Sequence, residues 1–89
     1  MVHGGALMSF MDMALGRTVM AHLGPGQTAV TASLTHHFLA PAHAGDVLYA
    51  HGRIIRATQS LVFIEGEIER EGRTIVHASG IWKRLRPRA

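Results

Sequence analysis

The chain is expected to form one α+β domain in which a single helix packs on an antiparallel sheet. Three observations predict this. Gly4 to Leu23 is a run dominated by apolar residues with helical length, and Gly24-Pro25-Gly26 ends it. Everything after that breaker alternates apolar and polar with a period of two, the pattern of half-buried strands. At 89 residues the chain is long enough for one domain only, and 47% of it is apolar, as in globular proteins. A helix against a sheet gives two layers around one core.

The helix contains Ala6, Leu7, Met8, Phe10, Met11, Met13, Ala14, Leu15, Val19 and Met20. Ala29–Leu39 reads as the first strand, with Val30, Ala32, Leu34, His36 and Phe38 in one phase and Thr31, Ser33, Thr35 and His37 in the other. The segment from Ala40 to Asp46 is a loop. Val47–Arg56 reads as the second strand and Ala57–Ser60 as a turn. In Leu61–Glu69, Val62, Ile64 and Ile68 point inward, while Glu65, Glu67 and Glu69 point outward. Glu71-Gly72 marks a hairpin turn. Thr74–Leu85 reads as the fourth strand, with Val76, Ala78 and Trp82 inward. Strands in this order are expected to form an antiparallel meander. A chain this short buries only about 60–65% of its unfolded surface. A thin core beside a helix apolar on every side predicts a partner subunit over part of that helix.

Composition excludes several classes. There is no cysteine, so disulfide scaffolds, thiol catalysis and thiolate metal sites are out, and a cytoplasmic location is compatible. No basic leader or membrane-length apolar stretch is present in these residues, and no membrane association is expected. The formal charge of +3 resides in the tail 83–89, where Lys83, Arg84, Arg86 and Arg88 have no acid among them. The other five basic residues face six acids, a net charge of −1. A solvated terminus accounts for this tail. Contact with a phosphate-bearing ligand or an acidic surface is the alternative. The glutamates of the third strand argue against a nucleic-acid face.

Asp12 is the acid of the helical run. A carboxylate in apolar surroundings is costly unless it is paired or used. Arg17, five residues on, is badly spaced for a helical ion pair, which prefers three or four. The run opens with His3-Gly4-Gly5, where a helix N-terminus offers backbone N–H groups and partial positive charge. One segment thus carries a base and an electrophilic pole. They cannot meet within one protomer, because eight residues of helix span about 12 Å. An antiparallel helix from a second subunit brings Asp12 of one chain to Gly4 of the other, so their cooperation requires a twofold dimer with shared sites. Thr31, in the polar phase of the first strand, is either solvated or holds water or the Asp12 carboxylate. The seven histidines lack metal-ligand spacing, and adjacent His36 and His37 point to opposite faces. No metal is expected.

His3-Gly4-Gly5 followed by Asp12 resembles the signature of PaaI-type hot-dog thioesterases, within the wider 4-hydroxybenzoyl-CoA thioesterase-like superfamily. The resemblance extends through Val30-Thr31-Ala32-Ser33-Leu34, Phe38-Leu39-Ala40-Pro41-Ala42, Gly45-Asp46, and Ala78-Ser79-Gly80 with Trp82-Lys83. It covers nearly the whole chain. It implies a hot-dog fold, in which a curved antiparallel sheet wraps a central helix (about 5–23), over a single domain 1–89. It implies metal-independent hydrolysis of acyl-CoA or aryl-CoA thioesters, with CoA as part of the substrate and no separate cofactor. By the same resemblance Asp12 is general base or nucleophile, Gly4 donates its N–H to the carbonyl with Gly5 beside it, Thr31 assists the water, and His3 orients the loop or meets the acyl group. Thr31 lies out of phase with the apolar strand face, so either a bulge re-aims it or its role is weaker than in relatives. Arg56 and Ser60, at the turn between the second and third strands, are the expected CoA contacts. Homodimers, often paired into tetramers, are the implied assembly. Relatives also carry a segment before the HGG motif, with an Asn or Gln near the ligand, so an N-terminally truncated chain is expected. A non-catalytic acyl-CoA-binding or regulatory module on the same fold is the alternative.

Overall fold

The computed structural model describes residues 4–85. The order of elements is α1 (Gly4–His22), β1 (Thr28–Phe38), β2 (Leu48–Ala57), β3 (Leu61–Arg70) and β4 (Arg73–Leu85). Each expected element is present within two residues of its expected bounds. The helix stops where Gly24 N–H turns to the Gln27 side-chain oxygen, 3.1 Å away, and Gly26 takes a φ of 76°. Glu71 and Gly72 both have positive φ, 51° and 78°, as a tight hairpin between β3 and β4 requires.

The meander is corrected. The sheet order is β1-β4-β3-β2, all pairs antiparallel, so β1 lies beside β4 and not beside β2. The physical reason is the 39–47 connection, which crosses the end of the sheet and does not turn back as a hairpin. It is pinned along the way. Leu39 and Ala40 N–H groups donate to the Ile75 carbonyl at 2.8 and 3.3 Å. Arg70 Nη1 donates to the Pro41 carbonyl at 2.7 Å and to Asp46 Oδ2 at 3.3 Å, and Ala42 is fully buried. The His43 backbone N–H, with help from Arg70, holds the Asp46 carboxyl below its usual range.

One helix stripe, Leu7, Met11, Leu15 and Val19, seats on the sheet with Val62, Ile64, Ile68, Val76, Ala78 and Trp82. Burying each large side chain contributes about 1.5–3 kcal/mol. The helix sits closest over β2 and β3, because Gly52 and Gly66 face it. A Cβ on Gly52 would lie 2.9 Å from Leu15 Cδ2, and one on Gly66 would strike both Leu15 and the His51 carbonyl. Within the protomer the helix is buried along this stripe only. Met8, Met13 and Met20 remain 44–49% exposed.

The opposite sheet face carries ion pairs beside an apolar patch of Ile55, Phe63 and Ile81. Arg53 bridges Glu65 (Nε to Oε1, 3.0 Å) and Glu67 (Nη1 to Oε1, 2.6 Å), and His51 lies 3.3 Å from Glu69.

Candidate active site

The site begins with an irregularity in β1. Thr31 pairs with Trp82 and Ser33 with Ile81, leaving Ala32 as an extra residue. Such a bulge re-aims the side chains on either side of it. Before it, Ala29 and Thr31 share the face of buried Trp82. After it, Leu34, His36 and Phe38 share the face of Gly80, Ala78 and Val76. The uninterrupted alternation is thus corrected, and of the two alternatives for Thr31 the re-aiming bulge is the one present. Val30 and Ala32 are exposed, and Thr31 turns toward the helix. A one-residue insertion exchanges the two faces of everything on one side of it.

Asp12 stands where the helix passes β1. Thr31 Oγ1 donates to Asp12 Oδ1 across 3.4 Å, a long contact open to solvent. Asp12 is exposed in the protomer, which corrects the expectation of a buried acid. The helix presses on β2 and β3 through glycine, whereas β1 meets it with full side chains. Among the described residues no ion pair joins Asp12 to Arg17, so the helical pairing alternative is not realised.

Gly4 lies at the other end of the helix and meets Phe38, whose ring edge would be 3.8 Å from a Cβ at Gly4. Gly4, Leu7, Phe38, Leu39, Ala40, Pro41 and Ala42 line an open groove of about 390 Å³. Gly5 follows within the first helical turn. His3 lies outside the described residues, as does the tail from Arg86 onward.

The sheet register sets the distances between these parts. Thr31 is level with Trp82 and Phe38 with Val76, six residues apart on β4 and hence about 20 Å. Asp12 and Gly4 are about 12 Å apart by helical rise. The structure therefore brings Asp12 and Thr31 together and keeps Gly4 and Gly5 apart from them within one chain.

Arg56 and Ser60 occupy the corner between β2 and β3, at the Thr31 end of the sheet. Arg56 follows a second irregularity, between Ile54 and Arg56, and pairs with Phe63. With Ile55, Thr58, Leu61 and Phe63 it lines a mostly apolar groove of about 480 Å³. Ser60 does not line that groove. Its carbonyl accepts the Arg84 N–H at 2.8 Å, and its N–H reaches Thr58 Oγ1 at 3.4 Å. No group of three His, Asp or Glu side chains with metal-ligand geometry occurs among the described residues.

Sequence reasoning passed over His36. It is half-buried on the helix-facing side of β1, between the Thr31 and Phe38 levels, with its ring stacked on Phe38 at 6.2 Å. Burial holds its pKa below the usual histidine value, and the charge of Asp12 opposes this in part. The signal was available in the sequence, since His36 is the polar member of an otherwise apolar phase.

Residues 1–77 match the Thioesterase superfamily. A predicted esterase of Pseudomonas aeruginosa is 31% identical over 80 residues, covering 90% of this chain and 60% of that protein. A Bacillus halodurans protein solved with CoA superposes with a TM-score of 0.89 at 32% identity, over 96% of this chain and 60% of that one. The PaaI protein of the Escherichia coli phenylacetic acid degradation operon superposes with a TM-score of 0.88 at 28% identity, with the same coverages. The chain spans about 60% of the length of these relatives. It belongs to the thioesterase superfamily and has its hot-dog fold, one helix wrapped by a curved antiparallel sheet.

Proposed function

We propose that the protein hydrolyses an acyl-CoA or aryl-CoA thioester to the free acid and CoA. The observation that carries this reading is the Asp12–Thr31 pair. A bulge exists where it turns a hydroxyl toward the one acid of the helix, and the pair is open to solvent. Family membership supplies the reaction class, and the CoA seen with the Bacillus halodurans relative supports the thiol carrier.

In this mechanism Asp12 takes a proton from water, and the oxygen adds to the thioester carbonyl carbon. The oxyanion is met by the N–H of Gly4 of the partner subunit, at the positive end of its helix, with Gly5 beside it. The C–S bond then breaks, and the CoA thiolate leaves and recovers the proton from Asp12. Thr31 fixes the carboxylate by its hydroxyl, and Arg56 and the Ser60 turn hold the nucleotide end of CoA. His3 orients the motif at the helix start. The step needs no metal or separate cofactor. Two subunits are required because Gly4 and Asp12 lie about 12 Å apart on one helix. The exposed Met8, Met13 and Met20 provide apolar surface for a helix-to-helix dimer, and such dimers pair into a tetramer. A cysteine-free chain of this kind suits the cytoplasm.

The test is a panel of acyl-CoAs and aryl-CoAs with a thiol reagent. Asp12→Asn should lower kcat by about 10²–10⁴, the usual contribution of a positioned base. It should melt like the parent, because Asp12 is exposed. Turnover unchanged from the parent in both Asp12→Asn and Asp12→Ala on every hydrolysed substrate would remove Asp12 from the mechanism.

A further inference from the structure

The groove at the start of α1 is lined, beside Gly4, by Leu7, Phe38 and residues 39–42. Among these described residues no side chain is charged or can hydrogen-bond. Much of the backbone is committed as well. The Leu39 and Ala40 N–H groups donate to the Ile75 carbonyl, Pro41 has no N–H, and the Pro41 carbonyl accepts from Arg70 Nη1. Two basic groups come near, and neither offers a charge to the groove. Arg70 is matched by Asp46, 3.3 Å away. His36 stacks on Phe38, and burial disfavours its charged form. The groove, about 390 Å³, falls within the range of small-molecule sites, about 300–1,000 Å³.

The other end of the sheet holds the remaining parts. The Asp12–Thr31 pair and the Arg56 corner lie at the level of Trp82, whereas the groove lies at the level of Val76. We propose that the Gly4 groove is the acyl site and selects an uncharged, apolar acyl group, while the Asp12 and Arg56 serving that site belong to the partner subunit. This rests on the thioesterase reading and adds to it the class of acyl group and the chain that selects it. Gly4 N–H holds the carbonyl oxygen, so the acyl carbons start at Gly4 and run along Phe38 and the 39–42 segment. The thiol side runs the other way, toward Arg56 of the partner subunit. A carboxylate on the acyl chain would lose its water in the groove and find no partner there.

Hexanoyl-CoA and glutaryl-CoA, similar in length, differ in such a carboxylate. The parent protein should prefer hexanoyl-CoA by at least about 100-fold in kcat/KM. Leu39 is 60% exposed, so Leu39→Lys should fold and place a cation at the groove. It should shrink the preference at least about tenfold. The selecting chain is read from mixed dimers isolated by two affinity tags. A protomer carrying both Asp12→Asn and Leu39→Lys, beside a parent protomer, leaves one working site. That site combines the parent Asp12 with the altered groove and should show the altered preference. With the two substitutions on different protomers, the working site has the parent groove and should show the parent preference. The reverse assignment, or hydrolysis by a monomer, overturns the division between chains. Equal use of the two substrates by the parent, or a preference unmoved by folded Leu39→Lys, overturns the acyl assignment and leaves the thioesterase reading intact. If no acyl-CoA is hydrolysed at all, that reading fails, and the groove is judged by calorimetry with unhydrolysable thioether analogues of the two substrates. The hexanoyl analogue should bind the parent more tightly, by a margin that Leu39→Lys reduces, and equal affinities overturn the inference.

Discussion

The two flanks of α1 meet the same sheet in opposite ways. Over β2 and β3 the sheet presents Gly52 and Gly66, and Leu15 drops into the space that side chains would fill. Over β1 the sheet presents Thr31, Leu34, His36 and Phe38, and Asp12 lies in solvent. One flank contributes stability, and the other leaves the Asp12–Thr31 pair open to solvent. Proteins accept such local costs at functional sites.

Breaking the packed flank should have the largest effect on folding. Leu15→Ala removes a fully buried side chain from the closest helix–sheet contact and should cost about 2–5 kcal/mol. Denaturant unfolding measures it, and turnover of the fraction still folded should be nearly unaffected.

Breaking the open flank should do the reverse. Gly4→Pro deletes one N–H at a position where the first helical turn tolerates proline. The ordinary contact distance to Phe38 leaves room for a side chain. Loss of one oxyanion donor costs about 10²–10³ in kcat, with little change in melting temperature.

The smallest effect belongs to the outer face, which touches neither flank. Arg53 holds the Glu67 carboxyl below its usual range, chiefly through its hydrogen bond. A depressed carboxyl pKa contributes stability that is present above the unfolded value, about 4.3, and is lost as pH falls through the folded one. Arg53→Met should lower the melting temperature slightly at neutral pH. The gap to the parent should close as pH drops below the carboxylate range. A gap that persists in acid would assign the effect to packing of the Arg53 stem.

Most of the fold was legible because period and punctuation are local. The apolar helix, the alternating glutamates of β3 and the Glu71-Gly72 turn each declare themselves within a few residues. Strand order was not legible, since β1 meets β4 nearly fifty residues later and the loop between β1 and β2 carries no hairpin signal. At the site, Asp12 and the glycines could be found from composition, and the helix rise separated them. The exposure of Asp12 could not be found, because residues buried on the stripe and residues left open, such as Met8 and Met13, are equally apolar. The bulge was legible only as a requirement. Thr31, out of phase with the apolar face, called for one if it was to act, but alternation is intact on either side, and the pairing with Trp82 and Ile81 is what places it at Ala32.

The central claim is that Asp12 and Thr31 act as one unit at the open flank. A double-mutant cycle in kcat/KM with Asp12→Asn and Thr31→Val tests it most directly. The account predicts that Thr31→Val alone slows hydrolysis by roughly tenfold, as loss of one hydrogen bond to a charged group would. In the Asp12→Asn background it should add nothing. Independent, multiplying losses would contradict the account, because Thr31 would then act on the reaction by a route that does not pass through Asp12.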